Sequence, residues 1–234
     1  MKVSLVSTCM NRNLFLNDSI PNWLSFDYFG EIVIVDWSSK QPVSNLLRKF
    51  ADPRIKVLRV EKQTLFNLCI ARNLGLEFCS GEWIVATDSD ITFAKGFFDS
   101  FDPNHDVTYR GGRVNPAGTT GTIFMHRDVL LATCGYNELI YGYGGDDDDF
   151  YRRIRKHGYE TRVLLKGALY HRDHSDFDRL EHRRGGHRTL RDSYWKENRG
   201  LPQWNCESER YSITYEVWQY LEDRGVINHG RRER

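Results

Sequence analysis

Glu82-Trp83-Ile84-Val85-Ala86-Thr87-Asp88-Ser89-Asp90 is the stretch on which the reading of this chain turns. A short apolar run carrying β-branched residues ends abruptly in two carboxylates separated by one residue. Such a run has the length of a strand buried on both faces, and the acids mark where it leaves the core. Working outward, residues 2–7, 31–36 (EIVIVD) and 55–60 repeat the pattern, so that with 82–87 the first hundred residues hold four predicted strands. Between them, helical periodicity covers about 14–24, 43–50 and 64–79. In the last of these, apolar residues at 65, 68, 69, 70, 74, 76 and 79 suit a helix lying on a sheet. This alternation predicts an α/β fold with a mostly parallel central sheet flanked by helices.

Ligands of open α/β sheets collect at the carboxyl ends of the strands. Three polar clusters fall there: Thr8-Cys9-Met10-Asn11-Arg12, then Asp36, then Asp88-Ser89-Asp90. The second half is less regular. Strands are expected over 106–110 and 122–126, a short helix over 127–134, and strands over 161–165 and 168–171 that return the chain to the sheet. From Phe177 onward the sequence is charged, and helix is expected near 177–182 and 215–224.

Charge and cysteines narrow the function classes. Thirty-three Lys and Arg stand against 32 Asp and Glu, a net +1, which carries no strong nucleic-acid signal and no strong attraction to anionic membranes. The five cysteines, Cys9, Cys69, Cys79, Cys134 and Cys206, form no CxxC pair and read as buried or incidental thiols of a reducing compartment. The N-terminus lacks a signal-peptide pattern and no apolar run approaches a membrane span. The expectation is a cytoplasmic protein, with peripheral attachment at the inner membrane face left open.

The densest chemistry lies in Tyr141-Gly142-Tyr143-Gly144-Gly145-Asp146-Asp147-Asp148-Asp149-Phe150, ahead of a helical pattern over 151–157. Glycines allow close backbone approach, tyrosine rings offer stacking faces, and carboxylates take protons or hold hydroxyls. On a helix only Asp146 and Asp149 share a face, so the four acids divide into different tasks. A helix N-terminus favours their charge while mutual repulsion raises some pKa values, which suits one of them as a general base. A solvated acidic helix start and a calcium loop are the competing readings, the second without EF-hand spacing. Asp88 and Asp90 offer oxygen ligands to Mg²⁺ or Mn²⁺, hard cations that also bind diphosphates. His171, at a predicted strand end, can add a nitrogen ligand, and His174 is near enough to compete for that place. Arg72, beside Asn73 on the helix before the fourth predicted strand, can pair with a phosphate or hold Asp36. The basic stretch 182–188 is either a loop closing on a diphosphate or a solvated turn.

These motifs resemble the GT-A-fold nucleotide-sugar glycosyltransferases of the family 2 type over roughly residues 3–175. The second half resembles the galactosyltransferase module shared by β-1,4-galactosyltransferases and chondroitin-type polymerases. Gly135-Tyr136-Asn137-Glu138 followed by 141–149 matches that family's GFNE…WGWGGEDDD pattern, Gly121-Thr122-Ile123-Phe124 matches its strand entering the acceptor site, and Phe177-Asp178-Arg179-Leu180 its stretch after the metal histidine. The chain then reads as a single domain with a nucleotide-binding half at about 1–100 and an acceptor half at about 101–175, followed by a C-terminal extension, read as helical from its own sequence, at about 176–234. The resemblance implies a UDP-sugar donor, with Thr8, Arg12, Asp36, Arg72, Asp88, Ser89 and Asp90 around the nucleotide. Asp90, His171 and Asp88 would bind Mn²⁺ or Mg²⁺, Asp90 most directly. Asp147 falls on the base that deprotonates the acceptor hydroxyl, and Tyr143, Gly145, Asp146 and Asp148 on the acceptor contacts. The acceptor is then a glycan or another hydroxyl-bearing molecule.

The chain departs from the pattern in places. Tyr stands for Trp at 141 and 143, Asp146 for Glu, and Ala168 where the family has a metal-binding Met. The acidic triplet favours an inverting reaction on galactose or N-acetylgalactosamine over a retaining one. A same-fold nucleotidyltransferase would carry glycine after the first strand, where Ser7–Arg12 has none, and a sugar- or calcium-binding module is the non-enzymatic rival.

Overall fold

The computed structural model describes residues 2–100, 102–112, 118–175 and 195–234. Strands Val3–Cys9 (β1), Phe29–Trp37 (β2), Ile55–Val60 (β3) and Trp83–Asp88 (β4) run parallel to one another, in the order β3-β2-β1-β4. Every residue of β1 is buried, because helices cover both faces. Val3 and Leu5 pack on one side with Leu16, Ile20 and Trp23 of Asn13–Leu24 (α1). Val6 points the other way, to Ala71 and Leu74 of Leu68–Phe78 (α3). Between them in sequence lies the short Asn45–Phe50 (α2). Gly75 explains how closely α3 approaches: a Cβ there would stand 2.5 Å from Val6 Cγ1 and 3.1 Å from Val35 Cγ2.

Beyond β4 come Ile91–Phe93 (β5), Val107–Arg110 (β6), Ile123–His126 (β7), Arg127–Thr133 (α4), Asp146–Lys156 (α5), Glu160–Val163 (β8) and Leu169–His171 (β9). β7 pairs antiparallel with β4, and β6 and β8 extend the sheet outward from it. Of the two strands expected to return to this sheet, only β8 does. β9 pairs instead with β5 in a separate two-stranded ribbon, with Ile91 opposite His171. Trp195–Arg199 (α6) is a short helix near the C-terminal region.

The expected C-terminal helix over 215–224 is a β-hairpin. Thr214–Leu221 (β10) and Gly225–Glu233 (β11) add antiparallel strands to the edge at β3, completing nine strands. Period-2 alternation won over helical propensity here. Ile213, Tyr215 and Val217 face one core, while Trp218 and Tyr220 face the other. Gly225, at φ +69°, makes the tight turn between them. The helix expected at 177–182 and the basic stretch 182–188 lie outside the described residues, as does 177–180.

The expectation of five free thiols is also corrected. Cys134 and Cys206 form a disulfide across a sequence separation of 72, with Cα atoms 5.2 Å apart; Cys9, Cys69 and Cys79 are free and buried. Disulfides persist in oxidising compartments, so cysteine spacing no longer argues for a reducing one. Closing so long a loop restricts the unfolded chain. Cys206→Ser is expected to lower unfolding free energy by about 2–4 kcal/mol, read by urea denaturation without reductant. An unchanged midpoint would show that the bridge contributes nothing. No helix among the described residues is long and apolar enough to cross a membrane.

Candidate active site

A cavity of about 630 Å³ opens at the carboxyl ends of β1 and β4 and is closed from the other side by α5 and the loop before it. Thr8, Arg12, Arg72, Asp88, Ser89, Asp90 and His171 line it, and so do Tyr143, Gly145, Asp146, Asp147 and Asp148. Segments far apart in sequence therefore meet at one place. Asp36 does not reach it. Its carboxylate is fully buried and accepts hydrogen bonds from Ser39 N at 2.9 Å, Val43 N at 2.9 Å and Arg59 Nη1 at 2.6 Å. It shapes the loop after β2 and has no free face for a nucleotide.

The β5–β9 ribbon explains how a histidine arrives at the acidic turn. Register sets His171 opposite Ile91, and Arg172 N donates to Asp90 O at 2.9 Å. His174 lies beside it, so both candidate histidines join Asp90. The ligand atoms of Asp90, His171 and His174 all lie within 4.8 Å of one another. Asp90 Oδ2 sits 3.1 Å from His174 Nε2, 3.1 Å from Arg12 Nη1 and 3.8 Å from His171 Nε2. Burial opposes ionisation of Asp90, but the His174 hydrogen bond, then Arg12 and His171, outweigh it and hold the carboxyl below its ordinary pKa.

Two observations fit a divalent cation here. Asp90 Oδ1 is buried with no hydrogen-bond partner among the described residues, an expensive state for a carboxylate oxygen. His174 Nδ1 lies 3.1 Å from Ser175 O and Nε2 lies 3.1 Å from Asp90 Oδ2. With its proton on Nδ1, bonded to Ser175 O, the ring offers the Nε2 lone pair to a cation shared with Asp90, in place of the proton that otherwise joins them. The backbone bond on the far ring nitrogen is also the usual orienting contact of a metal-bound imidazole. Gly118, at φ +86°, passes so close that a Cβ would stand 3.2 Å from the His171 ring.

Asp88, the other expected ligand, lines the same cavity and is tied through one of its oxygens to Arg72. Arg72 Nη2 donates to Asp88 Oδ1 at 2.7 Å, while Nη1 donates to Asp147 Oδ1 at 3.2 Å and to Tyr136 Oη at 2.9 Å. One buried guanidinium thus ties the strand-end acid to the acid at the head of α5. Gly121 is required beneath this bridge, since a Cβ would stand 2.7 Å from Arg72 Nη2 and 2.8 Å from Asp88 Oδ2. Desolvation, followed by the charge of Asp146, pushes Asp147 up to about 7 against the pull of Arg72. Its side chain keeps a quarter of its surface exposed, into the cavity.

The four aspartates divide differently from an ideal helical wheel. Asp146, Asp147 and Asp148 line the cavity, whereas Asp149 turns to Arg152 at 2.6 Å and Arg153 at 2.8 Å. Gly142, Gly144 and Gly145 all have positive φ, and that turn aims the first residues of α5 at the cavity. Asn198 of α6 clamps the same turn, donating to Tyr141 O at 2.9 Å and Gly144 O at 2.8 Å. Sequence reasoning had no signal for Asn198, nor for Arg110, which lines the cavity from the end of β6. Tyr151 was findable, because it follows Asp147 by one helical turn.

The Gly135-Tyr136-Asn137-Glu138 motif is architectural. Asn73 holds the Tyr136 backbone through both its amide atoms, at 2.8 and 2.7 Å, and Glu138 at 2.8 Å. Glu138 in turn fastens the C-terminal segment through Tyr211 N at 3.0 Å and Arg234.

Residues 4–106 match the glycosyl transferase family 2 model, and residues 109–182 match the model described as the N-terminal domain of galactosyltransferase. The fold is that of the GT-A glycosyltransferases, and each half of the chain matches one glycosyltransferase family model. Among solved structures, the chain is similar to the Drosophila β-1,4-galactosyltransferase 7 catalytic domain in complex with xylobiose. The TM-score is 0.63 at 16% identity, covering 97% of this chain and 91% of that one. A mutant of the same Drosophila enzyme with manganese, UDP-Gal and xylobiose gives 0.60 at 17%, covering 87% and 82%. TarS of S. aureus in complex with UDP-GlcNAc gives 0.57 at 17%, covering 75% and 59%. At these identities the likeness shows the shared fold. No curated protein matches the chain in sequence.

Proposed function

We propose that this protein is a glycosyltransferase that moves a hexose or N-acetylhexosamine, galactose or N-acetylgalactosamine first, from a UDP-sugar to an acceptor hydroxyl with inversion at the anomeric carbon. The observation that carries this is the shared cavity. Asp90, His171 and His174 border one side, Asp146, Asp147 and Asp148 another, and Arg72 spans between Asp88 and Asp147. The complexes of the Drosophila and S. aureus proteins with UDP-sugars, and of the former with manganese and xylobiose, support the donor, metal and acceptor classes.

In this reading residues 1–100 supply the nucleotide side, and Thr8 and Arg12 lie where uridine and diphosphate would enter. Mn²⁺ or Mg²⁺ held by Asp90, His171 and His174 would supply the positive charge that stabilises the departing diphosphate. Arg72 keeps Asp88 and Asp147 in place. Asp147, with a pKa near neutrality, takes the proton of the acceptor hydroxyl as that oxygen attacks the anomeric carbon. Asp146 and Asp148 accept hydrogen bonds from neighbouring acceptor hydroxyls, while Tyr143 offers a flat face to the sugar and Gly145 lets it come close. Glycine turns at Gly118 and Gly142–145 would let the surrounding loops close over the donor.

A panel of UDP- and GDP-sugars, assayed for nucleotide diphosphate release with Mn²⁺ and with chelator, tests the proposal. Turnover is expected with UDP-galactose or UDP-N-acetylgalactosamine and Mn²⁺, and proton NMR of the glycoside should show a β linkage from the α donor. Absence of turnover with every UDP-sugar, or an α-linked product, would overturn it.

A further inference from the structure

We propose a second metal site, formed by Glu82, His105 and His126 at the opposite end of β4 from the transfer cavity, with the chemistry to hold Zn²⁺. Glu82 immediately precedes β4 and His126 ends β7, where it pairs in register with Trp83. His105 comes from the turn before β6. Their ligand atoms all lie within 4.8 Å of one another. From Trp83 to Asp88 the strand advances about 17 Å, five steps of about 3.3 Å each, so this group cannot share a cation with Asp90.

The decisive atom is His126 Nε2. His126 is only 6% exposed, and this nitrogen is buried with no hydrogen-bond partner among the described residues. A buried imidazole nitrogen is normally satisfied. Here it faces Glu82 Oε1 at 3.6 Å, beyond hydrogen-bond reach, and the His105 ring stacks on His126 with centroids 3.9 Å apart and planes 15° from parallel. Both rings meet the indole of Trp83 edge-on, at 5.5 Å and 5.1 Å, which holds them as a pair.

The other ring nitrogen of His126 can take the orienting role. Nδ1 lies 3.3 Å from Asp128 N and 3.1 Å from Asp128 Oδ2. In one tautomer it accepts from the backbone; in the other it donates to the carboxylate and Nε2 becomes a lone-pair donor, on which His105 can converge once its ring swings out of the parallel stack. A carboxylate behind the far nitrogen is the arrangement that fixes and strengthens a zinc-bound imidazole. Two imidazoles and one carboxylate make a borderline ligand set that suits Zn²⁺ and leaves a fourth position for water. Zinc bonds of about 2.0–2.2 Å require the group to contract. Glu82 and His105 are exposed and can turn inward, while His126 stays anchored in the core.

Calorimetric titration of the chelator-stripped, full-length chain with Zn²⁺ tests this. Wild type is expected to take up two ions, one at each cluster. The double variant Glu82→Gln/His105→Ala should lose the second with at least about a tenfold fall in affinity, while keeping its circular dichroism because both side chains are exposed. Asp90→Ala/His171→Ala should retain that second ion, and Co²⁺ bound there should still give a visible d–d absorption. A smaller fall in the Glu82/His105 variant, or a single ion in wild type that is lost with Asp90 and His171, overturns the site.

Discussion

Asp147→Asn is expected to lower kcat by roughly 10³-fold while leaving KM for the UDP-sugar nearly unchanged. A positioned general base contributes about 10²–10⁴, and Asn has nearly the same shape but cannot accept the proton. The pH profile provides a second readout. Burial and Asp146 raise Asp147 to about 7, so kcat/KM in wild type should climb tenfold per pH unit below that point and level off above it. In the variant this limb should vanish. Stability should move the other way. A carboxyl whose folded pKa is raised from 3.8 to about 7 weakens the fold as pH rises through that interval, because the unfolded chain ionises first. At pH 8 the metal-free Asn variant should therefore melt higher than wild type, and near pH 3 the gain should disappear. An Asn variant with wild-type kcat would remove Asp147 from the chemistry and leave the base unassigned.

Asp90→Ala is expected to reduce Mn²⁺-dependent turnover by about 10³-fold, the rate equivalent of losing several kcal/mol of charge stabilisation at the leaving group. Its deletion removes the central member of the Asp90–His171–His174 group and sets Arg12 loose from its 3.1 Å partner. Single Ala substitutions at His171 and His174 separate the two histidines. Loss of a ligand should raise the Mn²⁺ concentration needed for half-maximal rate, as the proposal expects of both histidines, whereas loss of a residue that only orients should lower kcat at saturating metal. Mn²⁺ titration of the rate, with electron paramagnetic resonance of free Mn²⁺ alongside, reads both. Unaltered metal dependence in Asp90→Ala would place the cation elsewhere.

Much of the fold was legible because parallel strands covered on both faces must be apolar throughout. The runs at 2–7, 31–36, 55–60 and 82–87 therefore stood out, and β3 falls on 55–60 as read. The C-terminal hairpin was misread because aromatic and polar residues are interleaved over 214–221, and that pattern satisfies a helix until alternation along the edge of β3 is seen. The Cys134–Cys206 pair was invisible for a related reason: 72 residues of separation carry no local signature.

What the sequence by itself determined is the chemical inventory: an acid pair ending a buried strand, a glycine-aromatic turn before four aspartates, and two histidines three residues apart. What only the tertiary structure decided is which of them meet, and in what state. It turned Asp36 inward onto its own loop, gave Arg72 to Asp88 and Asp147 instead of to Asp36, joined His174 to His171, and left Asp149 to the arginines of α5. The physical reason is that spacing along the chain sets which residues share a local face, whereas desolvation and pairing depend on neighbours delivered from other elements. Those neighbours are what lift one of four identical carboxyls towards neutrality and hold Asp90 ionised.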